Sequence, residues 1–271
     1  MNPNAAETLV IGAPSFDLDA ARVVIAGGTS GVGLRSAQTL GSAGVSRMVL
    51  IGRNEQRGQA AVDQVRISCP HAEVSFLSAD INDPRQCERV TDQTMEALGG
   101  VDVLVNSTVA SYSPVLLHNI PIDDVHDILL RQAVGCLLLT RAMIDTMREQ
   151  GSGSIINIAS DAAKVPTPGE TVLGAAMAAI VTFSQTLALE AKRYGVRVNV
   201  LTPSLIVNTG SYDRAMNAEF SKKIFDKIVS QAHLGLTEPD DLANAILFLA
   251  SPLSKRITGQ VISVNGGISV A

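Results

Sequence analysis

The chain has 271 residues, of which 46% are hydrophobic, 17% charged and 3% aromatic, and its formal net charge is −5. This composition supplies enough apolar surface for a large core and predicts one α/β domain. Because no broad basic field is present and tryptophan is absent, we expect no nucleic-acid partner. The cysteines are dispersed without a C-x-x-C pair, which predicts a reducing compartment and no metal site.

The N-terminal residues 1–20 begin MNPNAAETLV and have little periodicity, which predicts a loose extension before a single domain over residues 21–271. They lack a basic segment followed by a long apolar core, so we expect no signal peptide. The longest apolar run, roughly Val172–Phe183, is shorter than the about 20 residues that a membrane span needs. We therefore expect a cytoplasmic protein without a membrane partner.

From Arg22 onward, short segments rich in β-branched residues alternate with longer amphipathic stretches. In chain order the seven segments are RVVIAG, RMVLIG, EVSFLSAD, VDVLVN, GSIINIAS, VRVNVLTP and QVISVN. Nearly continuous apolar strands separated by helices are typical of a parallel sheet that is covered on both faces. With right-handed crossovers, this pattern predicts a Rossmann-like, doubly wound α/β fold with a seven-stranded parallel sheet. The long polar stretch at about 204–235 predicts a lid over a pocket.

The segment VVIAGGTSGVGLRSAQTL places a strand, a glycine-rich turn and a helix in succession. Gly27, Ser30, Gly31 and Gly33 lie in this turn, where glycines permit positive φ angles and a close approach of a ligand to the backbone. The free N–H groups of the following helix would face a pyrophosphate. The turn is therefore predicted to bind the phosphates of a dinucleotide, although such turns also serve packing alone.

Two residues bear on which dinucleotide would bind. The second strand is followed by Arg53 where an Asp would bind the ribose diol of NAD, and an arginine suits the 2′-phosphate of NADP. The alternative is that Arg53 is a solvated loop residue. Asp80 is a candidate acceptor for an adenine amine, and the alternative is a helix cap or turn residue.

These motifs, with SADIND, VDVLVNS, GSIINIAS, RVNVLTP and ITGQVISVNGG, stand in the order and spacing of short-chain dehydrogenases/reductases, and the chain resembles that family over about residues 20–271. The resemblance implies a nicotinamide cofactor (NADP or NAD), a four-helix subunit interface and a catalytic Asn-Ser-Tyr-Lys set. Asn106 matches the first residue of the family's Asn-Asn-Ala-Gly segment and is carried over as a cofactor-binding residue. The helical asparagine of the catalytic set falls on Gln132.

Only part of the catalytic set carries over. Its serine matches Ser160, but its tyrosine falls on Leu173 and its lysine on Met177, and residues 165–191 contain no Tyr, Lys or His. Leucine and methionine cannot exchange a proton, so carbonyl reduction would lose general acid–base catalysis worth about 10²–10⁴-fold in rate. Ser160 would remain as a remnant without an adjacent base. Tyr112, just past the fourth strand, is a candidate replacement for the proton donor.

The sequence leaves three functions open. The first is a non-catalytic subunit that pairs with a catalytic short-chain dehydrogenase through helices at about 123–149 and 170–195, in a hetero-oligomeric oxidoreductase whose cofactor is bound weakly or lost. This pattern is similar to the inactive subunit of two-component acyl-CoA dehydrogenases of the benzylsuccinate pathway. The alternatives are an active NADP(H)-dependent oxidoreductase with a relocated proton donor and a nucleotide-binding regulatory module.

Overall fold

A computed structural model describes residues 18–217 and 219–271, in which strands and helices alternate along the chain. The strands are β1 (Arg22–Ala26), β2 (Arg47–Gly52), β3 (Glu73–Ser78), β4 (Val103–Asn106), β5 (Gly153–Ile158), β6 (Val196–Pro203) and β7 (Val261–Val264). The α-helices are α1 (Gly31–Ser42), α2 (Glu55–Ser68), α3 (Pro84–Leu98), α4 (Ile122–Leu129), α5 (Gly135–Gln150), α6 (Thr171–Ala191), α7 (Gly210–Asn217), α8 (Glu219–Val229) and α9 (Pro239–Ala250).

The strands form one parallel sheet in the order β3-β2-β1-β4-β5-β6-β7. The winding direction reverses between β1 and β4, so a crevice opens at the carboxyl ends of these two strands. The predicted seven-stranded, doubly wound fold is confirmed.

Both faces of the sheet are covered by helices. On one face Ile25 packs in a cluster with Leu40 of α1 and Ile246 of α9. On the other face Leu104 packs in a cluster with Met143 of α5. All five side chains are 0% exposed, which explains why the strands read as nearly continuous apolar runs rather than as alternating ones.

The beginning of the domain differs from the prediction. Residues 1–17 of the predicted extension lie outside the described residues. Leu18, however, is only 3% exposed and belongs to the apolar cluster that contains Ile25. The core therefore includes a residue before the predicted boundary at residue 21.

The single helix predicted at about 123–149 is interrupted by a π-helical turn at Leu130–Val134, which separates α4 from α5. A π-helical turn accommodates one extra residue. Here Gln132 and Ala133 are both buried, at 7% and 5% exposure. Hydrophobic periodicity does not reveal such an insertion, because the segments on both sides keep the helical period.

The helix predicted at about 170–195 is confirmed as α6, which continues through a 3₁₀ turn that ends at Tyr194. The 24 residues of Thr171–Tyr194 include a window of mean hydropathy 1.8, so length and composition alone would allow them to cross a membrane. The expectation that the apolar run Val172–Phe183 is too short to span a membrane therefore does not hold for the whole helix, by length and composition. In the protein α6 packs on β6, yet only 33% of the apolar window is buried. Much of this helix therefore lies on the surface of the protomer.

The stretch predicted as a lid contains α7 and α8, which pack together through a small cluster of Leu205, Ala215 and Phe225. The backbone enters this stretch beside an isolated parallel bridge between Ile206 and Thr237. All three cluster residues also line a cavity at the carboxyl edge of the sheet. The stretch is thus in the position that a lid requires.

Candidate cofactor and active site

The cavity at the carboxyl edge of the sheet has a volume of about 770 Å³. Its walls come from the loops that follow β1 to β6, from the π-helical turn before α5, from the first turns of α6, and from α7 and α8. Because parallel strands all end at this edge, residues that are far apart in the sequence meet here. This is the place where doubly wound proteins bind dinucleotides.

The glycine-rich turn forms part of the cavity wall through Gly27, Ser30 and Gly31. Gly27 has a φ of +79° and Gly31 a φ of +52°. A Cβ atom at Gly27 would lie 2.5 Å from a carbonyl oxygen of the loop after β4, and one at Gly33 would overlap the carbonyl oxygen of Gly27. A Cβ at Gly31 would meet only Thr209 Cγ2, at 3.6 Å. Gly33 is therefore required for packing behind the wall. At Gly31 there is open space, so the N-terminus of α1 can accommodate a pyrophosphate.

Arg53 and Asp80 both line the cavity, as predicted for cofactor-binding residues. Arg53 and the neighbouring Arg57 are exposed, and neither forms an ion pair with a side chain that the structure describes. Two unpaired guanidinium groups after β2 suit a phosphate. Asp80 acts as a turn residue, which is the alternative to binding adenine. Its Oδ1 accepts hydrogen bonds from Asn82 N at 3.1 Å and from Asn82 Nδ2 at 3.0 Å. Its contact with adenine stays a prediction.

Asn106 lies beneath the cavity and not in its wall. The residue is 2% exposed, and its Nδ2 donates hydrogen bonds to Asn157 Oδ1 at 2.9 Å and Thr140 Oγ1 at 3.0 Å. Asn157 Nδ2 in turn donates to Ser184 Oγ at 2.8 Å. The placement predicted for the Asn106 side chain is thus corrected: it joins β4 to β5 and α5, and Ser107 lines the cavity instead.

The positions that the resemblance assigns to tyrosine and lysine present hydrocarbon to the cavity. Leu173 and Met177 lie on the first two turns of α6 and line the cavity, and Met177 is 6% exposed within an apolar cluster. Ser160 also lines the cavity, but its Oγ accepts a hydrogen bond from the N–H of Ala162 at 3.2 Å and caps a short 3₁₀ helix. None of the three side chains exchanges a proton near neutral pH.

Tyr112 lies in the cavity wall, but its hydroxyl group is already engaged. The hydroxyl donates a hydrogen bond to the carbonyl oxygen of Gly169 at 2.6 Å. Burial, together with the nearby charge of Glu170, raises the pKa of the phenol above its ordinary value of 10.0. A phenol whose pKa is raised donates its proton less readily, so neither its acidity nor the geometry favours Tyr112 as the replacement donor.

Glu170 is the ionisable wall residue that sequence reasoning missed. It immediately precedes α6 and lines the cavity. Burial raises the pKa of its carboxyl group to about 7, although a hydrogen bond with Thr167 acts in the opposite direction. A carboxyl group with such a pKa can both donate and accept a proton at neutral pH. The available signal was its position three residues before Leu173, which places the two on one side of a helix.

Three buried oxygen atoms of the wall residues, one of them Asn82 Oδ1, have no hydrogen-bond partner among the described residues. Gln132 donates from Nε2 to a backbone carbonyl at 3.3 Å, which leaves its Oε1 unpaired. Asp161 accepts hydrogen bonds at Oδ2 from Asn265 and Ser269, while its Oδ1 accepts none and lies 3.9 Å from Lys164 Nζ. Unpaired buried acceptors cost about 1–3 kcal/mol each. These oxygens are therefore candidate contacts for a ligand or a water molecule.

Comparisons with known proteins agree on one family. Residues 26–269 match the family model described as enoyl-(acyl carrier protein) reductase. The chain is 30% identical to the 3-oxoacyl-[acyl-carrier-protein] reductase of Chlamydia pneumoniae, over 92% of this chain and 96% of that protein. It is also 30% identical to the 2,5-dichloro-2,5-cyclohexadiene-1,4-diol dehydrogenase of Sphingobium indicum, over 91% of this chain and 95% of that one.

Solved structures give the same result. An NADPH-bound short-chain oxidoreductase from Pseudomonas aeruginosa PAO1, which contains an atypical catalytic center, superposes with a TM-score of 0.85 at 27% identity, covering 94% of this chain and 99% of that chain. A 7α-hydroxysteroid dehydrogenase complexed with NADH and 7-oxo glycochenodeoxycholic acid gives a TM-score of 0.84 at 26% identity, covering 92% and 94%. The fold, the glycine-rich turn and these matches together show that the chain belongs to the short-chain dehydrogenase/reductase family of oxidoreductases.

Proposed function

We propose that this chain binds NADP(H) in the cavity and serves as a subunit of a hetero-oligomeric oxidoreductase without carrying out the proton transfer itself. One observation carries the proposal. The wall keeps a phosphate-compatible glycine turn beside Arg53, but it presents Leu173 and Met177 where the family resemblance places the proton-exchanging pair.

The chemistry explains why this combination matters. A nicotinamide cofactor supplies a hydride when it is bound, and reduction of a carbonyl also requires a proton. Leu173 and Met177 exclude water from their part of the wall and hold no transferable proton. The missing acid–base contribution corresponds to about 3–5 kcal/mol of activation free energy. A chain of this kind would bind a nucleotide far better than it would turn it over.

The proposed partner is a catalytically complete member of the same family, which would bind on the outer face of α6. Five exposed residues at alternating spacings of four and three lie along that face: Ala175, Ala179, Thr182, Thr186 and Leu189. Small and apolar side chains allow a second helix to approach closely. An acyl thioester is the substrate class we propose for the pair, supported by the acyl-carrier-protein substrate in the name of the Chlamydia relative.

The NADP(H) preference predicts that Arg53→Gln weakens NADPH binding about tenfold and leaves NADH binding within about twofold, because a charge-assisted bond to the 2′-phosphate is lost. Fluorescence titration of both nucleotides measures the dissociation constants. Arg193→Gln, an exposed residue outside the cavity wall, is the control. Equal losses for the two nucleotides, or none for NADPH, would contradict the preference.

Restoring the missing pair should restore catalysis. The double variant Leu173→Tyr/Met177→Lys is expected to reduce an activated ketone with NADPH at least about 100-fold faster than the native chain, because it regains a proton donor. Leu173→Phe/Met177→Leu is the matched control, since it changes size without adding a transferable proton. Thermal unfolding confirms that each variant is folded. A native chain that already turns over as fast as the double variant would contradict the non-catalytic assignment.

The pairing can be tested by native mass spectrometry of the chain co-expressed with family members from the same genome that carry Tyr-x-x-x-Lys. We expect a hetero-oligomer. We further expect Ala179→Glu to dissociate it, because a carboxylate would be buried in a close helix contact, whereas Gln64→Glu, at an exposed position of α2, should not. A homogeneous homo-oligomer that leaves every such partner unbound would refute the pairing.

A second candidate is an active oxidoreductase with a relocated proton donor, and Glu170 is the observation that favours it. This carboxyl group has a pKa of about 7 and lines the same cavity as Leu173. A protonated Glu170 could supply the proton that accompanies hydride transfer to a carbonyl.

This candidate predicts that the isolated chain oxidises NADPH with a carbonyl substrate, and that the rate falls as pH rises through about 7, where Glu170 loses its proton. Glu170→Gln should lower the rate at least about tenfold and remove this pH dependence. Tyr112→Phe should have little effect, because the Tyr112 proton is held by the Gly169 carbonyl. Absence of NADPH oxidation by the isolated chain would rule this candidate out.

A further inference from the structure

The predicted lid carries an arginine in the cavity wall that forms no ion pair with any side chain the structure describes. Arg214 belongs to α7 and lines the cavity. Its Nη2 donates a hydrogen bond to Ser211 Oγ at 2.9 Å, whereas its Nε is buried without a hydrogen-bond partner. Within residues 18–217 and 219–271, no described carboxylate forms an ion pair with it. The guanidinium therefore has unused hydrogen-bonding capacity and an unbalanced charge.

Two distances relate Arg214 and the start of α7 to the glycine-rich turn. Thr209, the residue before α7, lies against that turn, because its Cγ2 is 3.6 Å from the position of a Cβ at Gly31. Arg214 Nη1 is 3.4 Å from the position of a Cβ at Gly210, the first residue of α7. The side chain is thus bent back toward the start of its own helix, and the residue that precedes this helix, Thr209, lies against the glycine-rich turn.

The backbone before α7 has a defined course. Asn208 has a φ of +59°, in the left-handed region that asparagine tolerates better than most residues. Thr209 Oγ1 then donates a hydrogen bond to the Ile206 carbonyl at 2.7 Å and accepts one from Tyr212 N at 3.3 Å. These bonds hold the first turn of α7, and with it Arg214, at the edge of the cavity.

We infer that Arg214 binds the pyrophosphate of the dinucleotide and gives it a second point of attachment besides the glycine-rich turn and the N-terminus of α1. A guanidinium fork matches phosphate oxygens in charge and geometry. An anion at this corner would satisfy the unpaired Nε and balance the charge of Arg214. The inference rests on the proposed NADP(H) binding, but it is independent of whether the chain is catalytic.

Calorimetric titration of Arg214→Gln tests the inference. We expect NADPH and NADH to bind about tenfold more weakly, because both contain the pyrophosphate, and Arg214→Lys to be less affected. Adenosine 2′,5′-bisphosphate, which has no pyrophosphate, should bind within about twofold of its native affinity. Arg131→Gln is the matched control, because Arg131 also lines the cavity but is paired with Asp127 at 2.8 Å.

The outcomes separate this inference from the function on which it rests. Unchanged NADPH affinity in Arg214→Gln overturns the inference, and so does an equal loss for the bisphosphate, which would indicate a general effect of charge. If the variant keeps its NADPH affinity but binds a carboxylate or phosphate substrate more weakly, the arginine serves the substrate and the pyrophosphate contact is wrong. A native chain that binds neither NADPH nor NADH overturns the proposed function together with the inference.

Discussion

A buried set of side-chain hydrogen bonds holds the candidate site in shape. Asn106 and Asn157 join the ends of β4 and β5, and they extend to Thr140 of α5 and Ser184 of α6 at distances of 2.8–3.0 Å. Breaking any of these bonds would leave a further buried polar group unpaired, so they fix the sheet edge and both helices relative to one another. The direction in which α6 presents its first two turns to the cavity depends on this network.

The loops on the two sides of the point where the sheet reverses direction bring different ionisable groups to the cavity. Arg53 follows β2 on one side, and Asp161 and Glu170 follow β5 on the other. A dinucleotide bound at such a point lies across the crevice, so its adenosine phosphate would lie near cations and its nicotinamide near carboxyl groups. In the proposed function, the arginine that would select the cofactor thus lies on a different wall from the carboxyl groups that could hold a proton, and one wall can change without the other.

The sequence was sufficient for the parts of the molecule that repeat a strong pattern. The seven strands, their parallel arrangement and the glycine-rich turn follow from apolar runs and from glycine spacing. Three features could not be read in this way. The burial that raises the pKa of Glu170 is a tertiary effect. Asn106 differs from a cavity residue only in the direction of its side chain. The π-helical turn at Leu130–Val134 leaves the helical periodicity on each side intact.

That π-helical turn has an evolutionary consequence. Each residue of an α-helix advances the chain by about 100° around the axis, so loss of one residue from Leu130–Val134 would rotate α4 by roughly that angle relative to α5. Gln132, whose unpaired oxygen belongs to the cavity wall, would be replaced there by a neighbour. A descendant of this chain could therefore exchange the chemistry of one wall through a single-codon deletion, with every strand of the sheet left as it is.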